Sequence, residues 1–150
     1  MMRVTGMIVI SGAVLCAGMA SVSGAPLMTQ AEEQRARVNY LLNCAGCHLP
    51  DGHGSTGTVP DFREYLGQFA QHPASRSFIA RVPGAAGSPL NDAELAEVLN
   101  WILVIMNGEQ LRPDFEPYTA VEVGRYRRDT LIDVAPVRQA LIKTLAANTK

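Results

Sequence analysis

The stretch Cys44-Ala45-Gly46-Cys47-His48 constrains this chain more than any other. It sets two thiols three residues apart with an imidazole directly after them. The chain has three cysteines, and the third, Cys16, lies in a segment of a different kind. There Arg3 precedes an almost uncharged apolar run from Met7 to Ala20, and small residues follow from Ser21 to Ala25. That order is the pattern of a secretory signal peptide. Residues 1–24 are therefore expected to be a signal, cleaved before Ala25, with cleavage after Ala20 as an alternative. Glycines at 6, 12 and 18 and a short apolar core favour cleavage over an uncleaved membrane anchor. Leu15 stands where a lipidated Cys16 would need a small neighbour.

Export sets the redox setting. An exported chain does not readily keep a free thiol pair, so a disulfide, a metal or a covalent group should consume Cys44 and Cys47. A redox-active pair would want a strand–helix setting, and the sequence offers no clear strand. A zinc site would need two more ligands, and Asp51 and His53 do not fit a common zinc spacing. A structural disulfide has no need of the histidine. C-x-x-C-H is the attachment motif of c-type haem. Two cysteines at this spacing reach the vinyl groups on adjacent pyrroles, and the next residue falls beneath the iron. The expectation is one covalent haem c, with thioether bonds from Cys44 and Cys47 and an iron–nitrogen bond from His48.

The surroundings read as helix and loop. Thr29 and Glu32 form a capping box before a helix expected from Glu32 into Cys44, with Val38, Leu41, Leu42 and Ala45 on its apolar face. The glycine- and serine-rich stretch 49–59 is a loop. A short helix is expected over 61–71, carrying Phe62, Leu66 and Phe69 and stopped by Pro73. One or two turns should follow over 75–82, then a small-residue loop over 83–89. Asn91 and Glu94 cap a strong helix with Leu95, Val98, Leu99, Ile102 and Ile105 in helical register, and Gly108 is its expected left-handed terminator. Thr119 opens a further short helix. A last helix is expected over 136–147, with Val137, Leu141 and Leu145 on one side.

These features together resemble the class I c-type cytochromes, over roughly residues 30–108. A helix leads into the C-x-x-C-H motif. Asp51-Gly52-His53-Gly54 follows as a glycine loop. Pro60 stands twelve residues past His48. The final core helix opens at Pro89-Leu90-Asn91-Asp92-Ala93-Glu94-Leu95 and carries Trp101. The resemblance implies an all-α domain around one haem over residues 25–108, with 109–150 as a helical extension. It implies that the Pro60 carbonyl accepts a hydrogen bond from the free ring nitrogen of His48, and that Trp101 lies where the last helix crosses the first. One departure stands out. The family's axial methionine precedes a proline, and the matching dipeptide here is Val82-Pro83. Valine cannot ligate iron, so the sixth ligand is open among His72, Met106 and none.

Apolar residues at 47% and charged residues at 18% allow a buried core in a chain of 150 residues. A formal net charge of −1 gives no electrostatic footprint for nucleic acid. The expected function is periplasmic transfer of single electrons through the haem. Expected partners are exported redox proteins, such as a dehydrogenase or a terminal oxidase. The alternative is a haem with an open sixth position that binds a small ligand or reacts with peroxide. No motif identifies a small-molecule substrate. Arg125, Arg127 and Arg128 read either as a solvated helix face or as a docking patch for an acidic partner.

Overall fold

The computed structural model describes residues 27–148, so the expected signal peptide and Cys16 lie outside the described residues. Helix α1 spans Gln30–Asn43. Its start is fixed by the expected capping box: Thr29 Oγ1 accepts from the Glu32 amide, and the Glu32 carboxylate accepts from the Thr29 amide at 2.7 Å. The buried face differs from the expected one. Ala36 and Tyr40 are fully buried, whereas Val38, Leu41 and Leu42 are exposed. An aromatic ring paired with a small residue one turn away lets α1 approach its neighbour closely, and that contact outweighs the larger aliphatic stripe.

The neighbour is α6, Asp92–Asn107. Asn91 accepts from the amides of Ala93 and Glu94, both at 3.0 Å, and Glu94 completes the capping box. Leu95, Val98, Leu99, Ile102 and Leu103 are buried along it. Each such side chain contributes about 1.5–3 kcal/mol relative to exposure. The two helices cross at Tyr40 and Trp101, whose ring centroids lie 5.1 Å apart. Gly108 does not end α6 in the left-handed region. It is right-handed, at φ −51° and ψ −37°, and the chain runs on into a 3-10 turn over Gly108–Gln110.

Between these helices lie α2 (Ala45–His48), α3 (Phe62–Gln71), α4 (Phe78–Arg81) and α5 (Pro83–Ala86). Asp61 caps α3 by accepting from the Arg63 amide. The stretch 83–89, expected as loop, holds one helical turn. Extended Val82 places Pro83 at the first helical position, where its missing N–H costs nothing. Two helices follow beyond the 3-10 turn: α7 (Ala120–Tyr126), capped by Thr119, and α8 (Val134–Asn148). The only β pairing among the described residues is one isolated bridge, Ser55 to Val59. No helix among them is long and apolar enough to cross a membrane. The fold is all-α.

The segment after residue 108 belongs to the core. Phe115, Tyr118, Val123 and Leu131 are buried in the same cluster as Phe69, Leu95 and Leu99. Buried Asn100 on α6 holds it by backbone pairing: its side chain donates to the Tyr118 carbonyl at 2.9 Å and accepts from the Tyr118 amide at 2.7 Å.

Candidate functional site

Helix α2 is a single turn that carries Cys44 at its N-terminal boundary, Cys47 within it and His48 at its end. Cys47 and His48 follow Cys44 by three and four residues, the spacings that one helical turn brings near the same side as Cys44. Both cysteines are free thiols; Cys47 is exposed and Cys44 is half-buried. Burial, with Cys47 beside it, pushes the Cys44 thiol up to about 11. Among the described residues no cluster of three or more His, Cys, Asp or Glu side chains gathers into a cation site. Asp51 and His53 pair with each other at 2.8 Å on the surface.

The chain turns sharply after His48. Leu49 sits at φ 61° and ψ 161°, a region otherwise kept for glycine and costing about 1–3 kcal/mol. Its carbonyl is held by the Tyr40 hydroxyl, which donates to it at 2.5 Å. Tyr40 precedes Cys44 by one helical turn, so one side chain packs against α6 and braces the turn beyond the motif. Burial raises the Tyr40 phenol to about 12, which keeps it a donor.

The loop then folds back under the imidazole. The Gly54 amide donates to the His48 carbonyl at 3.1 Å, and the Phe62 amide donates to the Gly52 carbonyl at 2.9 Å. Gly54 is at φ +64°, and a Cβ there would strike the carbonyls of Val59 and Pro60. Gly52 is at φ +79°, and a Cβ there would lie 2.5 Å from Met106 Sδ and 3.3 Å from Phe62 Cδ2. The Phe62 ring lies against the His48 imidazole with centroids 3.9 Å apart and planes 21° from parallel.

Burial lowers the His48 pKa, and the Pro60 carbonyl partly offsets this. Burial thus favours the neutral imidazole, the form that ligates a metal. Its Nδ1 is buried, and no hydrogen bond closes on it. The Pro60 carbonyl thus acts on the His48 ring, while the hydrogen bond to Nδ1 that the sequence leads one to expect is not closed.

The two expected sixth-ligand candidates, His72 and Met106, sit on different elements. His72 ends α3, and its Nδ1 accepts from the Ala74 amide at 3.2 Å. Met106 borders Gly52 and Phe62, on the side of the molecule that carries the His48 stack. Val82 is half-buried between α4 and α5.

Two features escaped the sequence reading. The ring of Phe62 was expected in a helix but not against His48, although its place two residues past Pro60 is a usable signal. Arg127 was expected in a surface cluster and instead reaches inward. Its guanidinium donates to the carbonyls of Ala86, Ser88 and Leu90 at 2.7–3.1 Å and meets Asp92 Oδ1 at 3.2 Å. Nearby, the Leu131 amide donates to the Arg81 carbonyl, and Arg81 pairs with Asp129 at 2.6 Å. The C-terminal segment thereby clips the chain on both sides of Val82–Pro83.

Two curated proteins are similar to the chain, both cytochrome c-552 of Thermus thermophilus. Each is 27% identical over 106 aligned positions that cover 59% of this chain, and the alignment covers 81% of one relative and 72% of the other. No family model matches the chain, and no solved structure matches it significantly. The likeness supports a relationship to c-type cytochromes and a haem-based electron-transfer role. Together with the helices it makes the fold all-α and cytochrome c-like.

Proposed function

We propose that the chain is an exported, periplasmic c-type cytochrome that passes single electrons between redox partners through one covalent haem c. The observation that carries this reading is the single helical turn that holds Cys44, Cys47 and His48 together, with the half-buried imidazole beside the Pro60 carbonyl. The residues fit the group. Cys44 and Cys47 are the two thiols for thioether attachment. His48 would hold the iron through one ring nitrogen, which would leave its buried Nδ1 as the donor toward the Pro60 carbonyl. When bound, the haem iron supplies a one-electron couple. The protein's own residues fix its place: Tyr40 and Leu49 brace the turn after His48, and Gly52 and Gly54 let the loop close beneath the imidazole.

Exposed Cys47 marks the rim, where an attached group presents an edge to a partner. Partners on this reading are exported redox proteins, a dehydrogenase that delivers electrons or a terminal oxidase that accepts them. Docking is weak and transient, as is usual for such encounters. The chain acts as a carrier or small subunit and is not an enzyme in its own right. On this reading residues 25–108 are the haem-bearing unit and 109–150 the extension, whose Phe115, Tyr118, Val123 and Leu131 share its core cluster.

A second reading keeps the haem but leaves its sixth position open to a small ligand or peroxide. Val82 at the position of the family's methionine supports it, as do Met106 on the His48 side and the local hydrogen bond to His72 Nδ1. A visible spectrum of the exported, haem-loaded protein, oxidised, reduced and reduced with carbon monoxide, separates the two. A low-spin spectrum indifferent to carbon monoxide is expected for the carrier. A high-spin spectrum that shifts with carbon monoxide would favour the open site. A protein without haem would overturn both.

A further inference from the structure

The Phe62–His48 stack has a function to explain beyond filling space. Phe62 opens α3, and its backbone is pinned across the loop by the amide bond to the Gly52 carbonyl at 2.9 Å. Gly52, at φ +79°, packs so closely on Met106 and Phe62 that no Cβ would fit there. The Phe62 ring therefore has its backbone fixed, Met106 and Gly52 at its border, and the imidazole face 3.9 Å away at 21°. The Pro60 carbonyl acts on one edge of the His48 ring, and no complete hydrogen bond closes on Nδ1, so the Phe62 ring is the packing contact on the imidazole face. A two-fold aromatic torsion is broad when nothing packs against it, and an offset or near-parallel ring contact restricts it.

We propose that Phe62 is a positioning residue that fixes the plane of the His48 imidazole, and through it the axial field at the iron. Met106 and Gly52 are the wedge that keeps Phe62 in place. This inference rests on the haem reading above.

The test uses full-length protein exported with the haem-attachment machinery. Phe62→Leu keeps an apolar side chain and removes the ring, whereas Phe62→Tyr keeps the ring. Three quantities are read on each: covalent haem by intact mass, the low-temperature electron paramagnetic resonance spectrum of the ferric form, and the midpoint potential. Wild type and both variants should carry covalent haem. Phe62→Leu should broaden and shift the g-values and move the midpoint potential, and Phe62→Tyr should keep both near wild type. Unchanged g-values and potential in Phe62→Leu would overturn the proposal while leaving the haem reading intact. A tyrosine variant displaced as far as the leucine variant would also overturn it, since side-chain shape and not the ring would then matter. A wild-type protein without covalent haem would overturn the haem reading and this inference together.

Discussion

At the scale of single residues, the site is built from positions that look unremarkable in the chain. Leu49 is the clearest. Its backbone lies where glycine is at home, and its side chain is exposed, so little burial is lost on replacing it. Leu49→Gly should stabilise the protein by about 1 kcal/mol, measured by chemical denaturation; a destabilised variant would show that the turn is not strained. Gly52→Ala should act in the opposite direction. The methyl group meets Met106 Sδ at 2.5 Å, which a flexible side chain can yield to, but the backbone at φ +79° cannot yield. A loss of about 1–3 kcal/mol is expected in the same experiment. The motif residues themselves were legible in the sequence because C-x-x-C-H is a local pattern. The stack on His48 was not, because it joins two loop ends through a glycine turn whose conformation no spacing rule encodes.

At the scale of elements, caps were legible and buried faces less so. Thr29, Asn91 and Thr119 open α1, α6 and α7 where the sequence places them, since a cap is a contact across three residues. On α1 the aliphatic set Val38, Leu41 and Leu42 marks the wrong face, because the helix crossing selects Ala36 and Tyr40. Pro83, the first residue of an expected loop, opens a helical turn. The arginine cluster resolves by orientation. Arg127 holds four acceptors at the start of α6 and in the turn before it, while Arg128 is exposed and Arg125 lies over the Tyr126 ring at 4.9 Å. Arg127→Ala should cost about 2–4 kcal/mol and raise amide exchange over residues 82–90. Arg128→Ala should stay within about 0.5 kcal/mol of wild type. Equal effects would return Arg127 to the surface cluster.

At the scale of the whole molecule, the segment beyond residue 108 closes the core and does not hang from it. Arg76 joins the two. It pairs with Glu122 on α7 at 2.6 and 2.9 Å, donates to the Ala70 carbonyl and lies 4.1 Å from the Tyr118 ring centroid. Burial raises the Glu122 pKa, but the hydrogen bonds and charge of Arg76 outweigh it and hold the carboxyl below its usual value. A carboxyl with a depressed folded-state pKa contributes stability that is present above its unfolded pKa and lost as pH falls through the folded one. The melting temperature should therefore fall as pH drops below the ordinary glutamate range, and Glu122→Gln should flatten that part of the profile. A profile identical to wild type would remove the pair from the account. Truncation after Gly108 should abolish cooperative unfolding, because Tyr118, Val123 and Leu131 would leave the cluster; a truncated chain that melts cooperatively would make the extension an appendage. The sequence showed that helices lie there, but not that Asn100 would pair with the Tyr118 backbone, a contact between residues eighteen apart. The account as a whole depends on what Cys44 and Cys47 hold. The most direct measurement is the intact mass of the exported protein after denaturation and organic extraction of loose haem. The prediction is a polypeptide heavier by one haem, reverting to the bare mass when Cys44 and Cys47 are both replaced by alanine. A bare polypeptide from cells able to attach haem would contradict the central claim.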